Sequence, residues 1–133
     1  MVPAPELSPH PLHACILVAE DEVLVRAVVS AELRDTGFTV VEAANADEAW
    51  AYLNSGGPVD LVFSDVEMPG SMSGLELARR IRGRNVTLPI ILTSGKGWPG
   101  GGEGLAAFIP KPYDIGRVIS IVLATLGLSR PDG

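Results

Sequence analysis

The sequence predicts an α/β fold in which a parallel, five-stranded sheet is covered by helices on both faces. Short apolar runs of strand length alternate along the chain with longer segments whose apolar residues recur at helical spacing. This alternation is typical of parallel sheets whose strands are joined by right-handed crossovers. With 133 residues, 47% of them hydrophobic, the chain has the size of one domain and enough apolar surface for one core.

The first strand is predicted at residues 14–19, an apolar run that ends in the acid pair Glu20 and Asp21. The first helix is predicted over 22–36, and Gly37 ends it because glycine readily takes the left-handed conformation that follows many helices. The residues predicted to face the core recur at helical spacing: Leu24, Ala27, Val28 and Ala31.

The second strand is predicted at residues 38–43. Asn45, followed three residues later by Glu48, resembles a capping box that begins a second helix. The stretch 55–58, Ser-Gly-Gly-Pro, ends this helix. Its predicted core face consists of Ala46, Ala49, Trp50 and Leu53.

The third strand, at residues 59–65, is an apolar run of the kind that is buried on both faces of a parallel sheet. It ends at Asp65, and Pro69 and Gly70 then turn the chain sharply. An acid in this place lies at the carboxyl end of a strand, where open α/β sheets bind their ligands. Considered alone, Asp65 is equally compatible with a role as an ordinary loop cap.

The remaining elements follow the same alternation. Ser73 and Glu76 form a second capping-box pair, for a third helix that continues to about residue 84. The fourth strand is predicted at residues 90–94 and the fifth at 107–109. A final helix begins at about residue 115 and places these apolar residues at helical spacing: Val118, Ile119, Val122, Leu123 and Leu126.

Residues 95–106 occupy the place of a helix between the last two strands, but six of them are glycine and Pro99 lies among them. In a helix each glycine costs about 1 kcal/mol and a proline about 3 kcal/mol. We therefore predict that this helix is short or replaced by a glycine-rich loop. Because such a loop buries few side chains, we also expect it to be the most mobile internal segment of the protein.

Composition limits the classes of function. Residues 1–13 hold four prolines and are predicted to be a flexible tail, residues 14–128 a single domain and residues 129–133 a second tail. Cys15 is the only cysteine, which excludes an intrachain disulfide and a cluster of thiolate metal ligands, and its apolar neighbours predict a buried thiol.

The net charge of −6 argues against a general nucleic-acid or anionic-membrane binder. No segment reaches the roughly 18 consecutive apolar residues of a membrane span, and the first residues lack the pattern of a signal peptide. The cytoplasm is therefore the expected location.

Five strands in a chain of this length suit the flavodoxin-like order 2-1-3-4-5, which is borrowed from known folds of this size rather than derived from these residues. In that order the carboxyl edge of the sheet gathers residues from four strands. We expect them to line one shallow acidic cleft: Glu20, Asp21, Asp65, Ser94 and Lys111.

This set of side chains has a chemical logic. Three carboxylates repel one another, and Mg²⁺ relieves the repulsion because it accepts a few carboxylate oxygens and keeps several waters. Such an ion suits phosphoryl transfer, in which Asp65 is placed to act as the nucleophile. Lys111 and Ser94 are placed to contact phosphoryl oxygens. Each residue also has an ordinary explanation: Glu20 and Asp21 as an acidic helix start, Lys111 as a solvated loop charge and Ser94 as a strand-end hydroxyl. Their combination at one edge of the sheet favours a phosphoryl-transfer site.

The chain resembles the receiver domain of two-component response regulators over about residues 14–126. The resemblance rests on Ile-Leu-Val-Ala-Glu-Asp at 16–21, Ser-Asp-Val-Glu-Met-Pro-Gly at 64–70, Pro-Ile-Ile-Leu-Thr-Ser-Gly at 89–95 and Pro-Lys-Pro-Tyr at 110–113. It implies that Asp65 accepts a phosphoryl group from a histidine kinase or a histidine phosphotransfer protein and that the domain then switches conformation for a further protein partner, which the sequence does not identify.

The resemblance also implies a role for each site residue. Glu20, Asp21 and Asp65 match the Mg²⁺ ligands and Lys111 the lysine of the family, and Ser94 matches the switch hydroxyl. Three further implications concern neighbouring positions: Glu67 offers its backbone carbonyl to the metal, Phe108 is the aromatic that changes rotamer on activation, and the bond before Pro112 is cis. Glu67 and Lys96 flank the path of the hydrolytic water and are expected to tune the lifetime of the phosphorylated state.

The sequence departs from the common pattern in three places. The turn at 69–74 is one residue longer than usual, and Thr93 beside Ser94 offers a second hydroxyl, although counting from Pro89 selects Ser94. The glycine-rich stretch 95–106 lies where the family has part of its usual output face.

Two other functions remain open at this stage. The chain could be a pseudo-receiver that binds partners without being phosphorylated, or a phosphatase of the haloacid dehalogenase type, although that class requires Asp-x-Asp where this chain has Asp65 and Glu67. A receiver would catalyse only its own phosphorylation and dephosphorylation and would not be an enzyme in the usual sense. The sequence is compatible with a stand-alone receiver and with one taken from a hybrid kinase.

Overall fold

The computed structural model describes residues 13–98, 100 and 104–129. Strands and helices alternate along the chain in the order β1 (Cys15–Ala19), α1 (Val23–Thr36), β2 (Thr39–Ala43), α2 (Ala46–Asn54), β3 (Leu61–Asp65), α3 (Gly74–Arg84), β4 (Ile90–Ser94), β5 (Ala107–Pro110) and α4 (Ile115–Thr125). The predicted alternation is confirmed, with boundaries that shift by one or two residues.

The five strands form one parallel sheet in the order β2-β1-β3-β4-β5, as predicted. Ala19 pairs with Ser64 across β1 and β3, so the residues that follow each of them, Glu20 and Asp65, emerge side by side. Ser94, the last residue of β4, pairs with Pro110 at the end of β5. The register therefore aligns the carboxyl ends of four neighbouring strands.

The sheet separates two hydrophobic cores, because successive residues of a strand point to opposite faces. Ile16 and Val18 of β1 belong to the core beneath α1 and α4, whereas Leu17 and Ala19 belong to the core beneath α2 and α3. All five residues of β1 are buried, and so are those of β3 and β4. The predicted burial of the Cys15 thiol is confirmed.

The prediction for the core face of α1 is wrong. Leu24 is 80% exposed and Val28 55% exposed, and Ala27 and Ala31 are exposed as well. The face that packs on the sheet is instead carried by the row Val25, Val29 and Leu33, in which the last two are fully buried. This helix has apolar residues on two faces, and helical spacing does not indicate which of them meets the sheet.

Both predicted capping boxes begin helices. The Asn45 side chain accepts a hydrogen bond from the backbone N–H of Glu48 at 2.8 Å, and the Ser73 hydroxyl accepts one from that of Glu76 at 3.1 Å. The helix ending predicted at Gly37 is also present, because this glycine adopts a φ of 117° after the last turn of α1.

The described residues between β4 and β5 form turns and no helix, in agreement with the prediction for 95–106. The guanidinium of Arg82 holds one end of this segment by donating two hydrogen bonds to the carbonyl of Leu105, at 2.6 and 3.2 Å. The indole of Trp98 packs edge-on against the ring of Phe108, with 4.8 Å between ring centroids. Residues 99 and 101–103 lie outside the described part of the chain.

The predicted tails fall largely outside the description, which leaves out residues 1–12 and 130–133. None of the described helices is long and apolar enough to cross a membrane.

The two glycines of α3 provide a matched test of the packing between α3 and the end of β3. A Cβ on Gly74 would lie 1.9 Å from the main-chain oxygen of Asp65, whereas a Cβ on Gly83 would have no atom within 4 Å. We expect Gly74→Ala to lower the free energy of unfolding by about 1–3 kcal/mol through this clash, and Gly83→Ala to raise it by about 0.5 kcal/mol. Urea denaturation measures both, and equal effects of the two variants would contradict the close approach.

Candidate functional site

Three acids meet at the carboxyl edge of the sheet. Asp65 is the last residue of β3 and is 5% exposed; Glu20 follows β1 and is 1% exposed. Asp21 lies next to Glu20, and one carboxylate oxygen from each of the three residues lies within 4.8 Å of the other two. The sequence therefore identified the acids that the fold brings together.

Main-chain and side-chain contacts hold Glu20 in this position. Its carboxylate accepts a hydrogen bond from the backbone N–H of Glu22 at 3.0 Å, at the start of α1. Arg26 of the same helix donates to the backbone carbonyl of Glu20 at 2.8 Å. The beginning of α1 thus orients one of the three acids.

Lys111, which follows β5, provides the positive charge of the site. Its Nζ lies 2.9 Å from Oδ2 of Asp65 and 3.4 Å from Oε1 of Glu20. Its backbone N–H donates to the carbonyl of Ser94 at 2.9 Å, which ties the start of the loop after β5 to the end of β4. The peptide bond between Lys111 and Pro112 is cis.

Burial dominates the electrostatics of the acids. Desolvation raises the pKa of Asp65 above its ordinary value, even though the hydrogen bond and charge of Lys111 act in the opposite direction. Desolvation likewise raises the pKa of Glu20, to which the charge of Asp65 adds. Burial alone would lower the pKa of Lys111, but the hydrogen bond and charge of Asp65 outweigh it, so the pKa of Lys111 is raised. One lysine therefore does not fully compensate the buried negative charge.

The arrangement fits a hard divalent cation. Oδ1 of Asp65 is buried and has no hydrogen-bond partner among the described residues, while Oδ2 is held by Lys111. A buried carboxylate oxygen without a partner is costly, and a cation bound to it would remove that cost. The donors of the cluster are all carboxylate oxygens, the ligands that Mg²⁺ prefers.

Ser94 contacts Glu67 rather than Asp65. Its Oγ lies 2.7 and 2.9 Å from the two carboxylate oxygens of Glu67, and the backbone N–H of Lys96 donates to the same Oγ at 2.9 Å. Within the described residues, the ammonium of Lys96 forms no ion pair with Glu67. The sequence had indicated Glu67 and Lys96 as neighbours of the reaction path but not this link through Ser94.

Tyr113 follows directly after Lys111 and Pro112 and lies beside Lys111 in the site, although the sequence pattern did not indicate a role for it. Its ring packs edge-on against Phe63 of β3, with 6.1 Å between ring centroids. Burial raises the pKa of its phenol to about 12, and the charge of Glu20 adds to this effect. Tyr113 lines a cleft of about 490 Å³ together with Lys111, the residue whose ammonium contacts Asp65 and Glu20.

Phe108 occupies the position at which the sequence predicted a rotamer-changing aromatic. It pairs with Leu92 across β4 and β5, and its half-buried ring contacts Trp98 of the neighbouring segment. The predicted change of rotamer, like the predicted backbone contact of Glu67 with a metal, stays a prediction.

Fold and site together define a receiver domain. Residues 16–123 match the family model of the response regulator receiver domain, and the chain belongs to that family. It is therefore a receiver domain of the two-component response regulators.

Individual relatives agree with this assignment. The transcriptional regulatory protein PhoP of Escherichia coli strain K12 is 35% identical over 116 residues, which are 84% of this chain and 51% of that protein. The chain thus spans about half the length of the curated relatives it matches.

Among solved structures, the receiver domain of the hybrid histidine kinase CckA has 38% identity and a TM-score of 0.73, with coverage of 85% of this chain and 99% of that one. The response regulator TrrA of Thermotoga maritima, solved in complex with Mg²⁺ and BeF, has 31% identity and a TM-score of 0.77, with coverage of 84% and 98%.

The raised pKa of Asp65 predicts a pH-dependent gain in stability for Asp65→Asn. A raised pKa means that the folded state favours the protonated acid. The contribution of Asp65 to stability is therefore fully present below the unfolded pKa of about 3.9 and is lost as the pH rises through the folded pKa. In EDTA, Asp65→Asn should be more stable than the wild type at neutral pH, by an amount that shrinks toward pH 4.

Urea denaturation at a series of pH values measures this gain. The exposed Asp35→Asn, at the far end of α1, controls for the loss of one negative charge. A difference between Asp65→Asn and the wild type that does not change with pH would contradict the burial argument. Added Mg²⁺ should stabilise the wild type more than Asp65→Asn, because the variant lacks one ligand.

Proposed function

We propose that this receiver domain accepts a phosphoryl group from a phosphohistidine onto the carboxylate of Asp65. The observation that supports the proposal is the pairing of Asp65 with Lys111 at 2.9 Å beside two further acids at the carboxyl edge of the sheet. Asp65 is the acid at the centre of this group, since it belongs to β3, which lies between β1 and β4. The family assignment supports the same reaction class.

The transfer is a substitution at phosphorus. An oxygen of Asp65 forms the new P–O bond as the P–N bond to the imidazole of the donor breaks, and the imidazole nitrogen keeps the bonding electrons and takes up a proton. The product is an acyl phosphate. Lys111 is already placed within hydrogen-bond distance of Asp65 and would neutralise the charge on a phosphoryl oxygen, which is how positioned cations assist phosphoryl transfer.

Glu20, Asp21 and Asp65 would hold Mg²⁺, and the backbone carbonyl of Glu67 is a further proposed ligand. When bound, the ion neutralises negative charge on the acids and on the phosphoryl oxygens. Ser94 is the proposed switch residue because its hydroxyl lies at the end of the strand adjacent to β3. Phe108 and the segment 95–106 are proposed to follow its movement.

The phosphohistidine donor is itself a protein, a histidine kinase or a histidine phosphotransfer protein, and needs a surface beside the cleft. The exposed face of α1 supplies one. Leu24 and Val28 line an apolar groove with Tyr113 and Ile115, and Tyr113 also lines the neighbouring cleft that contains Lys111. A helical donor that covered this groove would bring its histidine to the mouth of the cleft.

Intact-protein mass after incubation with a small-molecule phosphodonor and Mg²⁺ tests the transfer. The wild type should gain one phosphoryl group, and Asp65→Asn should gain none because an amide does not form an acyl phosphate. EDTA should suppress the gain, since the acids then repel the incoming phosphoryl oxygens. Equal labelling of Asp65→Asn would disprove the assignment of Asp65. An unlabelled wild type would identify a binding module, and steady turnover of a phosphoester would identify a phosphatase.

Substitutions on α1 test the docking surface separately from the chemistry. The variant Leu24→Ser/Val28→Ser should slow phosphotransfer from the donor protein by about tenfold, because two apolar side chains are lost from the contact. Labelling by the small-molecule donor should stay at the wild-type rate. Val86→Ser serves as the control, since Val86 is 76% exposed and lies between α3 and the start of β4, away from the cleft. Loss of transfer in the control as well would contradict a role specific to α1.

A further inference from the structure

The hydroxyl of Ser94 both donates and accepts hydrogen bonds within the protein. It lies within hydrogen-bond distance of both carboxylate oxygens of Glu67, at 2.7 and 2.9 Å, and it accepts the backbone N–H of Lys96 at 2.9 Å. Ser94 is 1% exposed, whereas Glu67 lies at the surface, so the serine side of this contact is shielded from water and the glutamate side is not. A serine hydroxyl has one proton to donate, and here that proton is directed to Glu67.

The position of Glu67 makes this contact relevant to the site. Glu67 lies two residues beyond Asp65, in the turn that follows β3, and its negative charge is among the influences that raise the pKa of Asp65. Its carboxylate therefore places an anionic hydrogen-bond acceptor between the end of β3 and the hydroxyl at the end of β4. A phosphoryl oxygen on Asp65 would be an acceptor of the same kind, approaching the same hydroxyl.

We propose that the Glu67 side chain is a latch that occupies the Ser94 hydroxyl before phosphorylation and competes with the phosphoryl group for it. The inference rests on the proposed phosphorylation of Asp65. One proton does not serve two anionic acceptors at once, so Ser94 reaches the phosphoryl group only after it leaves Glu67. Glu67 is thus a positioning residue that favours the unphosphorylated state. Part of the binding free energy of the phosphoryl group is needed to break the hydrogen bond between Ser94 and Glu67.

The contacts of Ser94 extend the latch toward the segment after β4. Lys96 donates its backbone N–H to the Ser94 hydroxyl, and Trp98, two residues further on, packs against Phe108 of β5. Movement of the hydroxyl away from Glu67 therefore acts on the first turn of the segment 95–106. Glu67 is thereby linked to the start of the segment 95–106, which is distant from it in sequence.

Two substitutions of Glu67 separate the latch from simple charge repulsion. Glu67→Gln removes the negative charge but keeps an acceptor for the Ser94 proton, whereas Glu67→Ala removes both. Each keeps the backbone carbonyl that is proposed to face the metal. The probe is beryllofluoride with Mg²⁺, which binds an aspartate as a mimic of the phosphoryl group, and the readout is its dissociation constant.

The latch predicts that Glu67→Ala binds beryllofluoride about tenfold more tightly than the wild type, with Glu67→Gln in between, because a charge-assisted hydrogen bond no longer has to be broken. In a Ser94→Ala background the difference between Ala and Gln at position 67 should vanish. Equal affinities of Glu67→Ala and Glu67→Gln with Ser94 present would overturn the latch and leave only charge repulsion. If neither the wild type nor any variant binds the probe, the assignment of Asp65 is wrong. The proposed competition between Glu67 and the phosphoryl group for Ser94 is then wrong as well.

A second measurement tests the contact without any phosphoryl mimic. Urea denaturation in EDTA is measured for the wild type, Glu67→Ala, Ser94→Ala and the double variant. The effect of the double variant on the unfolding equilibrium constant should differ about fivefold from the product of the two single effects. Glu67→Gln should recover part of this coupling. Independent effects of the two substitutions would show that the contact contributes nothing to the folded state, and the proposal would then be wrong even if the protein is phosphorylated normally.

Discussion

The site depends on the repulsion among three carboxylates that the fold forces together. The parallel register places Glu20 and Asp65 side by side at the ends of adjacent strands, where both are almost completely buried. Lys111 offsets part of this cost, and the pKa values of both acids remain raised in its presence. The fold therefore keeps unfavourable electrostatic energy at one edge of an otherwise well-packed sheet, which the proposed binding of a cation would reduce.

Much of this arrangement could be predicted from the sequence because it follows from strand ends. Apolar runs fixed the strands, and an acid or lysine directly after a run had to appear at the carboxyl edge of a parallel sheet. The core face of α1 could not be predicted in this way. Helical spacing is shared by two sets of residues on this helix: Val25, Val29 and Leu33, and Leu24 and Val28. Contacts with α4 and the sheet decide which set is buried, and the spacing carries no information about those contacts.

The contact between Glu67 and Ser94 lay beyond sequence reasoning for a different reason. The two residues are 27 positions apart, and their contact depends on the conformation of the turn after β3 in which Glu67 lies. Strand register explains why neighbouring strand ends meet, but it does not determine the rotamer of a glutamate in a turn. The packing of Tyr113 against Phe63 could not be predicted either, because it joins elements that are distant in sequence.

Arg82 of α3 connects parts of the chain that lie outside its own helix. In the part of the chain that the structure describes, its guanidinium donates hydrogen bonds to the main-chain carbonyls of Asn85, Leu88 and Leu105, so these contacts depend on the path of the chain rather than on its side chains. Leu105 is therefore attached to α3 through its main chain, independently of its side chain. A bond to a main-chain carbonyl does not require a particular side chain, so a change of residue at position 105 leaves the acceptor of this attachment in place.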